Sequence, residues 1–357
     1  MLLPVMPLWL LRTEGFSPVE TGVAMGIFGV GLYLLGWLCS WLVQHYRRNV
    51  VCMWAVVAQA LCVLVLWYIE TVQVQQADVW LIMAQRLALG AFFGLSQMVL
   101  ASTLIIDTCE SAQRTEANHS VGWFRRFSLS LGPLAGLVVY DMFGFHVVVW
   151  ASAGCAVLAL LMIKLVDFPF RAPDDEVHVV SLDRFLLPRG FLLFLNLLLV
   201  TTVFGLIITL PLSVLFYAVM MGGFLVALLA QRFVFRNAEL ESEVLSGLIL
   251  LLAALLVLWV SFSSPVAPLL VGFSVGIISS RFLLFFIKLS RHCQRGTSQS
   301  TCFLGWESGL ALGLALGYAL FYHQTDRLIY TALALTVVAL LMYHFLTHRW
   351  FLRHKNR

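Results

Sequence analysis

Charged side chains are the scarcest class of residue in this sequence. They make up 11% of its 357 residues, whereas a soluble domain carries about 25%. A water-soluble chain of this length has to cover its surface with more polar groups than these, yet 61% of the residues are hydrophobic. The net charge of +4 is too small to indicate a nucleic-acid binder. This composition excludes a soluble globular protein and predicts a chain that lies inside a lipid bilayer.

The sequence also lacks the short motifs of several enzyme classes. It has no GxxxxGK[ST] loop to hold the phosphates of ATP, no HExxH and no paired intramembrane aspartates. Its seven cysteines form no CxxC pair and show no metal spacing with histidine. The nine histidines are scattered and lie mostly in loops or at the ends of apolar runs. We therefore expect no enzyme, no cofactor and no metal site.

Long apolar runs are abundant. In hydrocarbon every backbone N–H and C=O has to be satisfied internally, so such runs form helices, and about 20 residues suffice to cross a bilayer. Eleven runs have that length and a shorter one precedes them. They cover residues 1–11, about 18–43, 49–69, 79–106, 120–140, 145–166, 189–209, 211–231, 245–262, 266–287, 299–321 and 327–346.

The basic residues between the runs alternate from one side to the other. One set of loops contains only Arg12 and Arg327, and the other set contains eighteen basic residues. Because lysine and arginine concentrate in cytoplasmic loops, this alternation supports the count of spans and predicts a cytoplasmic C-terminus. The eighteen are Arg47, Arg48, Arg114, Arg125, Arg126, Lys164, Arg171, Arg184, Arg189, Arg232, Arg236, Lys288, Arg291, Arg295, Arg349, Arg353, Lys355 and Arg357.

The first run is anomalous in length. As a helix, Met1 to Leu11 rises about 16 Å, roughly half of a hydrocarbon core. We expect the first half of helix one to be missing from the sequence. The alternative is a re-entrant or interfacial segment.

A polar stretch in the middle divides the runs into two sets of six. The organisation predicted is an N-terminal bundle over 1–166, a cytoplasmic linker over 167–188, and a C-terminal bundle with a basic tail over 189–357. The halves show weak internal similarity, since Ser128-xxx-Gly132-xxx-Gly136 matches Gly309-xxx-Gly313-xxx-Gly317. Internal repeats of this kind are typical of secondary transporters.

Three local motifs resemble those of one transporter family. The loop after the second run ends in the basic pair Arg47-Arg48, although Val43 occupies the usual aspartate position and the glycines are absent. The fourth run contains Arg86-xxx-Gly90, and the fifth contains Gly132-Pro133-xx-Gly136. With the six-plus-six arrangement, the chain resembles the major facilitator superfamily, and its motif pattern is most similar to that of drug/proton antiporters.

The resemblance implies an all-α polytopic fold of two six-helix bundles related by pseudo-twofold symmetry, with the first helix truncated. It also implies that the deep charges serve transport. Glu307 is a carboxylate well inside a full run, and Arg281 lies at a similar depth on the preceding run. We expect Glu307 to bind the coupling proton, with Arg281 as the partner that tunes its proton affinity. The alternative is a static ion pair that fixes two helices.

The remaining site residues follow from expected positions in that fold. Arg47, Arg48, Asp107, Glu110, Arg125 and Arg126 are expected to form a cytoplasmic gate, with solvated helix ends as the alternative. Gly132, Pro133, Gly136, Gly305, Gly309, Gly313 and Gly317 are expected to serve helix packing and gating, because glycine lets backbones approach closely. The expected substrate and proton pathway contains Gln85, Arg86, Arg281, Glu307, Tyr33, Gln97, Asn196, Thr201, Thr202 and Ser280.

The predicted function is secondary active transport of a small solute by alternating access, with proton-coupled export preferred. The few polar groups expected in the cavity favour an amphipathic or apolar solute. The alternatives are a nutrient uniporter or symporter of the same fold, and a non-transporting membrane sensor or enzyme. The predicted protein is a monomer in the cell inner membrane whose partners are the solute, protons and lipid, with no nucleic acid.

Overall fold

The structure is a computed structural model that describes residues 1–72, 78–108, 114–166, 168, 178–235 and 239–355. Twelve long helical segments account for most of these residues. We label them in chain order as α1 (Leu2–Arg12), α2 (Pro18–His45), α3 (Arg48–Val72), α4 (Val79–Leu104), α5 (Arg114–Phe143), α6 (Phe145–Leu165), α7 (Pro188–Ile208), α8 (Val214–Phe233), α9 (Leu240–Val260), α10 (Val266–Leu289), α11 (Arg295–Phe321) and α12 (Thr325–His354).

Two of these helices, α2 and α4, depart locally from a regular α-helix, and α2 also has a defined N-terminal cap. The start of α2 is fixed by a capping box, in which Ser17 Oγ accepts from the Glu20 N–H at 3.2 Å and the Glu20 carboxylate accepts from the Ser17 N–H at 2.8 Å. These two hydrogen bonds are the reciprocal pair that defines a capping box. Farther along, α2 tightens into a 3₁₀ turn over Gly36–Leu38. The last turn of α4, Leu100–Leu104, is a π-helix.

Helix packing repeats between the two halves with an offset of six helices. In the first half α1 packs on α5, α2 on α4, and α3 on both α4 and α6. In the second half α7 packs on α11, α8 on α10, and α9 on both α10 and α12. The same set of neighbours in each half is the pseudo-twofold arrangement expected from the sequence, and the all-α fold is confirmed.

The halves meet chiefly along two helix pairs, α2 with α11 and α5 with α8, and α4 also packs on α11. Small residues let α2 and α11 approach closely. A Cβ built on Gly26 would lie 2.8 Å from the Cβ of Ala315, and one built on Gly29 would lie 2.8 Å from the Cβ of Ala311. On the second pair, the Ser130 hydroxyl of α5 donates to the Tyr217 carbonyl of α8.

Ten of these helices are long and apolar enough to cross a membrane by length and composition. The others are α1, which is short, and α5, which is long but more polar. Two helices begin five or more residues earlier than the sequence pattern predicts, α5 at Arg114 instead of residue 120 and α9 at Leu240 instead of residue 245. The apolar pattern misses these first turns because they are polar. The shift moves several charged residues from loops into helices.

The glycine ladder of α11 faces α7. Gly305 lies against Phe194, and Gly317 against the Thr209 side chain. Between them, a Cβ on Gly309 would collide with Thr201 and the Leu198 carbonyl. The α5 motif has a different neighbour, since Cβ atoms on Gly132 and Gly136 would meet the Met1 backbone, while Pro133 lines a cavity.

Candidate solute and proton site

A cavity of about 560 Å³ lies in the middle of the helix bundle. Its wall is mostly apolar, and its charged and amide side chains come from three helices: Arg86 and Gln97 from α4, Arg125 from α5 and Glu307 from α11. A largely apolar cavity with a few converging polar groups is the usual form of a small-molecule site. Other lining residues include Met1, Leu2, Leu3, Met25, Phe28, Val63, Leu89, Phe93, Val121, Phe124, Ser128, Leu129, Pro133, Ser152, Leu310, Ala311 and Leu314.

Glu307 and Arg125 lie at a similar depth on helices from opposite halves. Both α5 and α11 start at the face where the basic loops lie, which we call the basic face. At 1.5 Å per residue, Arg125 is about 17 Å and Glu307 about 18 Å from the start of its helix. The two groups interact electrostatically, but within the described part of the chain Glu307 has no ion pair closer than 4.0 Å. The carboxyl group thus faces the cavity with a cation nearby.

The other polar groups of the cavity are held by direct contacts. Arg125 Nη2 donates to Gln97 Oε1 at 2.8 Å, and its guanidinium carbon lies 4.9 Å from the centre of the Phe303 ring. Arg86 is 6% exposed, its Nε donates to the Ala24 carbonyl at 3.3 Å, and it stacks on Phe28 at 4.9 Å. Hydrogen bonds and cation–π contacts of this kind lower the cost of placing guanidinium groups in an apolar setting.

The pairing predicted between Arg281 and Glu307 was wrong. Arg281 instead forms a buried ion pair with Glu243 of α9, whose side chain is 1% exposed. The physical reason is the direction of the side chain, because Arg281 lies on the side of α10 that packs against α9, while Glu307 faces the cavity. Glu243 was overlooked because α9 begins five residues before its apolar run.

Gln85 and four polar residues of the second half do not line this cavity in the structure. Gln85 Nε2 donates to the Cys62 carbonyl of α3 at 2.8 Å, and Asn196 Nδ2 donates to the Ala339 carbonyl of α12 at 3.0 Å. The remaining residues are buried and bond to nearby groups, as a polar side chain between apolar helices must. They are Thr201 and Thr202, which donate to carbonyls of α7, and Ser280, which accepts from Gln231 and donates to Ile277.

Tyr33 connects the halves near the cavity. Its hydroxyl lies 2.7 Å from Ser308 Oγ, so α2 and α11 share a hydrogen bond one residue after Glu307. The Tyr33 ring also lies edge-on to Phe185 of the linker, with 6.0 Å between ring centres. A change in the packing of α2 against α11 would break this hydrogen bond.

The expected cytoplasmic gate is only partly described. Arg47 is exposed at the basic face and Arg48 is half-buried, whereas the Asp107 side chain and the whole of Glu110 lie outside the described residues. Arg125 and Arg126 lie deeper than the sequence predicts, because α5 starts at Arg114 and carries them inward. Arg125 therefore belongs to the cavity.

At the basic face, the described part of the linker contacts both α2 and α11. The Arg184 N–H donates to Thr297 Oγ1 and the Leu187 N–H donates to Thr301 Oγ1, both at 2.8 Å. Phe185 is buried against Gly36, where a Cβ would collide with its ring. This segment joins the ends of helices from both halves.

A helical pattern in the sequence contains the signal for the cavity face of α5. Val121, Arg125, Ser128 and Pro133 recur at spacings close to one turn, and all line the cavity. Treating this stripe within the fifth run as one helix face would have placed Arg125 among the cavity residues instead of at the cytoplasmic gate. The aromatic wall from Phe28, Phe93 and Phe124 carries no such signal, since phenylalanine is common throughout the chain.

Comparison with known proteins agrees with this architecture. A family model described as the Major Facilitator Superfamily matches residues 1–314, most of the chain. The chain belongs to the major facilitator superfamily.

A solved structure of this superfamily is similar along nearly the whole chain. The crystal structure of the human organic anion transporter MFSD10 (TETRAN) has a TM-score of 0.66 and 17% sequence identity, over 95% of this chain and 89% of that one. At 17% sequence identity, this structural similarity shows that the two proteins share a fold. No curated protein matches by sequence. Superfamily and fold make the chain a multi-pass membrane transporter and not an enzyme.

Proposed function

We propose that the chain is a proton-coupled secondary transporter that moves a small amphipathic solute through the central cavity. The observation that carries this proposal is Glu307, a carboxyl group in a mostly apolar cavity with no ion pair among the described residues. A fixed structural charge in such a setting is normally paired with a partner. A group that binds and releases a proton needs access to the cavity, which Glu307 has.

The position of Glu307 links proton binding to the arrangement of the halves. Glu307 belongs to α11 of the second half and Arg125 to α5 of the first half, and the two interact across the cavity. Their attraction depends on the charge of the carboxylate, so protonation removes it. Proton binding and release would then shift the balance between two packings of the bundles, which is what coupling requires.

Contacts of the linker with α2 and α11 at the basic face, and a cavity near the opposite face, support alternating access. A further cavity of about 240 Å³ lies toward the other ends of α1, α5 and α11, lined by Pro4, Leu137 and Gly317 among others. Pro4 comes one residue after Leu3, which lines the central cavity. Leu137 and Gly317 come about one helical turn after Pro133 and Leu314, which also line the central cavity. The two cavities therefore follow the same three helices outward.

Export is the direction that we propose, with a nutrient symporter or uniporter as the second candidate. The basic loops support a cytoplasmic C-terminus in a cell inner membrane, and we propose that the protein works as a monomer. MFSD10 is described as an organic anion transporter. An organic anion would suit the central cavity, which has two guanidinium groups and one carboxyl group in its wall.

Flux in liposomes tests the coupling. The purified protein would be reconstituted with the pH-sensitive dye pyranine inside the vesicles, and a panel of neutral, anionic and cationic amphipathic dyes would be added outside. We expect solute addition to move protons, and an imposed pH gradient to drive solute against its concentration gradient. Glu307→Gln should abolish both effects but keep exchange of labelled for unlabelled solute, because glutamine fits the same space without binding a proton.

Gln97→Leu is a useful comparison because it removes a polar group from the same cavity without removing a carboxyl group. It should alter solute affinity and keep gradient-driven flux. Gradient-driven flux that persists in Glu307→Gln would contradict the proton role. Absence of flux for every dye with the unaltered protein would favour a sensor of the same fold.

A further inference from the structure

A second, smaller cavity lies beside the central one, between α5, α10 and α11. Its volume is about 50 Å³, and its wall shares Arg125 and Leu129 with the wall of the central cavity. By this measure of volume a single water molecule needs about 10–15 Å³, so the space admits a small polar group. The lining residues are Gly122, Arg125, Arg126, Leu129, Ser279, Leu283, Cys302 and Trp306.

Two buried donors in this wall have no acceptor. Arg126 is 4% exposed, and its Nε donates to Ser279 Oγ, but its Nη1 has no hydrogen-bond partner among the described residues. The indole N–H of Trp306, which is 6% exposed, has no described partner either. Buried donors are nearly always paired, and an unpaired one costs about 1–3 kcal/mol or more when charged. Arg126 and Trp306 both line the same small cavity, which is therefore the place where one acceptor could serve both.

The charges around the cavity favour a negative acceptor. Arg125 and Arg126 both line it, and Arg126 also stacks on Trp123 at 4.4 Å. Glu307 is the acidic residue that lines the neighbouring cavity, and the described residues give it no ion pair. An anionic group in the small cavity would be attracted by both guanidinium groups and would form charge-assisted hydrogen bonds, the strongest kind available here.

We propose that the small cavity is the anion subsite of the transported solute. The solute is then an amphipathic organic anion, with its carboxylate or sulfonate bound by Arg126 and Trp306 and its apolar body in the central cavity. This inference rests on the proposed transport function and adds to it the residues that select the charge. Arg125, which lines both cavities, lies at the junction between the charged end and the apolar body.

Binding of naphthalenesulfonate and of its neutral isostere naphthalenesulfonamide tests the subsite. The two probes share a ring and differ in charge, and the full-length protein would be titrated calorimetrically in phosphatidylcholine nanodiscs. We expect the unaltered protein to bind the sulfonate about tenfold more tightly than the sulfonamide, as expected for hydrogen bonds to a charged group. Arg126→Gln should lose this preference while its affinity for the sulfonamide stays similar.

The control is Arg349→Gln, which removes the same charge from an exposed position on α12 and should keep the preference. Trp306→Phe is a second variant that keeps an aromatic ring and removes only the N–H, so it should weaken sulfonate binding even if Arg126→Gln does not fold. Equal affinity of the unaltered protein for both probes would overturn the subsite. A sulfonate preference that survives in Arg126→Gln and in Trp306→Phe would overturn it too.

Two further results separate this proposal from its alternatives. Binding requires no proton gradient, so a sulfonate preference that depends on Arg126 supports the subsite even if proton-coupled flux fails. Conversely, proton-coupled flux of the sulfonamide without any preference for the sulfonate would overturn the anion subsite and leave the proposal of proton-coupled transport standing. If phosphatidylglycerol in the nanodiscs competes with the sulfonate only when Arg126 is present, the anion is a lipid headgroup, which would overturn the assignment to a solute.

Discussion

The side-chain hydrogen bonds of two adjacent arginines on α5 go to different halves of the molecule. Arg125 donates to Gln97 of α4 in its own half, while Arg126 donates to Ser279 of α10 in the other half. Successive residues on an α-helix are rotated by about 100°, which sends the two guanidinium groups to different neighbours. This dipeptide therefore connects the central cavity with the interface between the halves.

The buried pair of Arg281 and Glu243 yields a stability prediction at the residue scale. Arg281→Leu would leave Glu243 as an uncompensated buried charge, so we expect a loss of about 3–5 kcal/mol in the free energy of unfolding. Thermal unfolding in detergent would measure it.

The double variant Arg281→Leu with Glu243→Leu is the matched control for this pair. It removes both charges and fills similar space, so it should recover most of the loss. If the single and double variants unfolded alike, the ion pair would not account for the effect.

At the scale of single helices, close approach between α7 and α11 depends on glycine. A Cβ on Gly313 would collide with the Thr202 carbonyl and lie 2.7 Å from the Cα of Gly205. The contacts are backbone atoms, which cannot move aside as a flexible side chain could. These two helices therefore tolerate no added side chain where they cross.

Gly313→Ala should therefore destabilise the protein by about 1–3 kcal/mol, as overpacking does. Gly154→Ala on α6 is its matched control, since a Cβ there meets nothing within 4 Å. Alanine at that position should be neutral or slightly stabilising because it favours helix. Thermal unfolding compares the two directly, and equal stability of the two variants would contradict the close packing.

At the scale of the whole molecule, the halves have to move against each other if alternating access operates. Gly26→Cys with Ala315→Cys would place two thiols across the α2–α11 interface, where an ideal Cβ pair lies 2.8 Å apart, so the helices have to separate by about 1 Å to reach the Cβ distance of a disulfide. Oxidation should join the halves and stop flux of the amphipathic dyes in liposomes, and reductant should restore it. Mass spectrometry would verify the bridge.

A cross-link within one half is the control for this test. Ala227→Cys with Gly276→Cys joins α8 to α10, where the corresponding Cβ distance is 2.5 Å. Because both helices belong to the second half, oxidation there should leave flux unchanged. Full flux through the protein bridged between α2 and α11 would show that transport does not require these helices to separate.

The sequence by itself determined the class of fold. Apolar runs of membrane length have to become helices because hydrocarbon offers the backbone no other hydrogen-bond partners. The polar centre of the chain and the repeated glycine motif predicted two related halves, which the repeated helix contacts bear out. Arg86, Gln97 and Glu307 were also identifiable in advance, since polar residues in long apolar runs are rare and therefore noticeable.

Only the tertiary structure decided which charged groups meet. Arg281 and Glu307 have similar depths in the sequence, but their side chains point to different neighbours, so Arg281 pairs with Glu243 and Glu307 lies near Arg125. Depth along a helix follows from residue number, whereas the direction of a side chain matters only once the neighbouring helices are placed. The small cavity at Arg126 and Trp306 likewise exists only where α5, α10 and α11 come together.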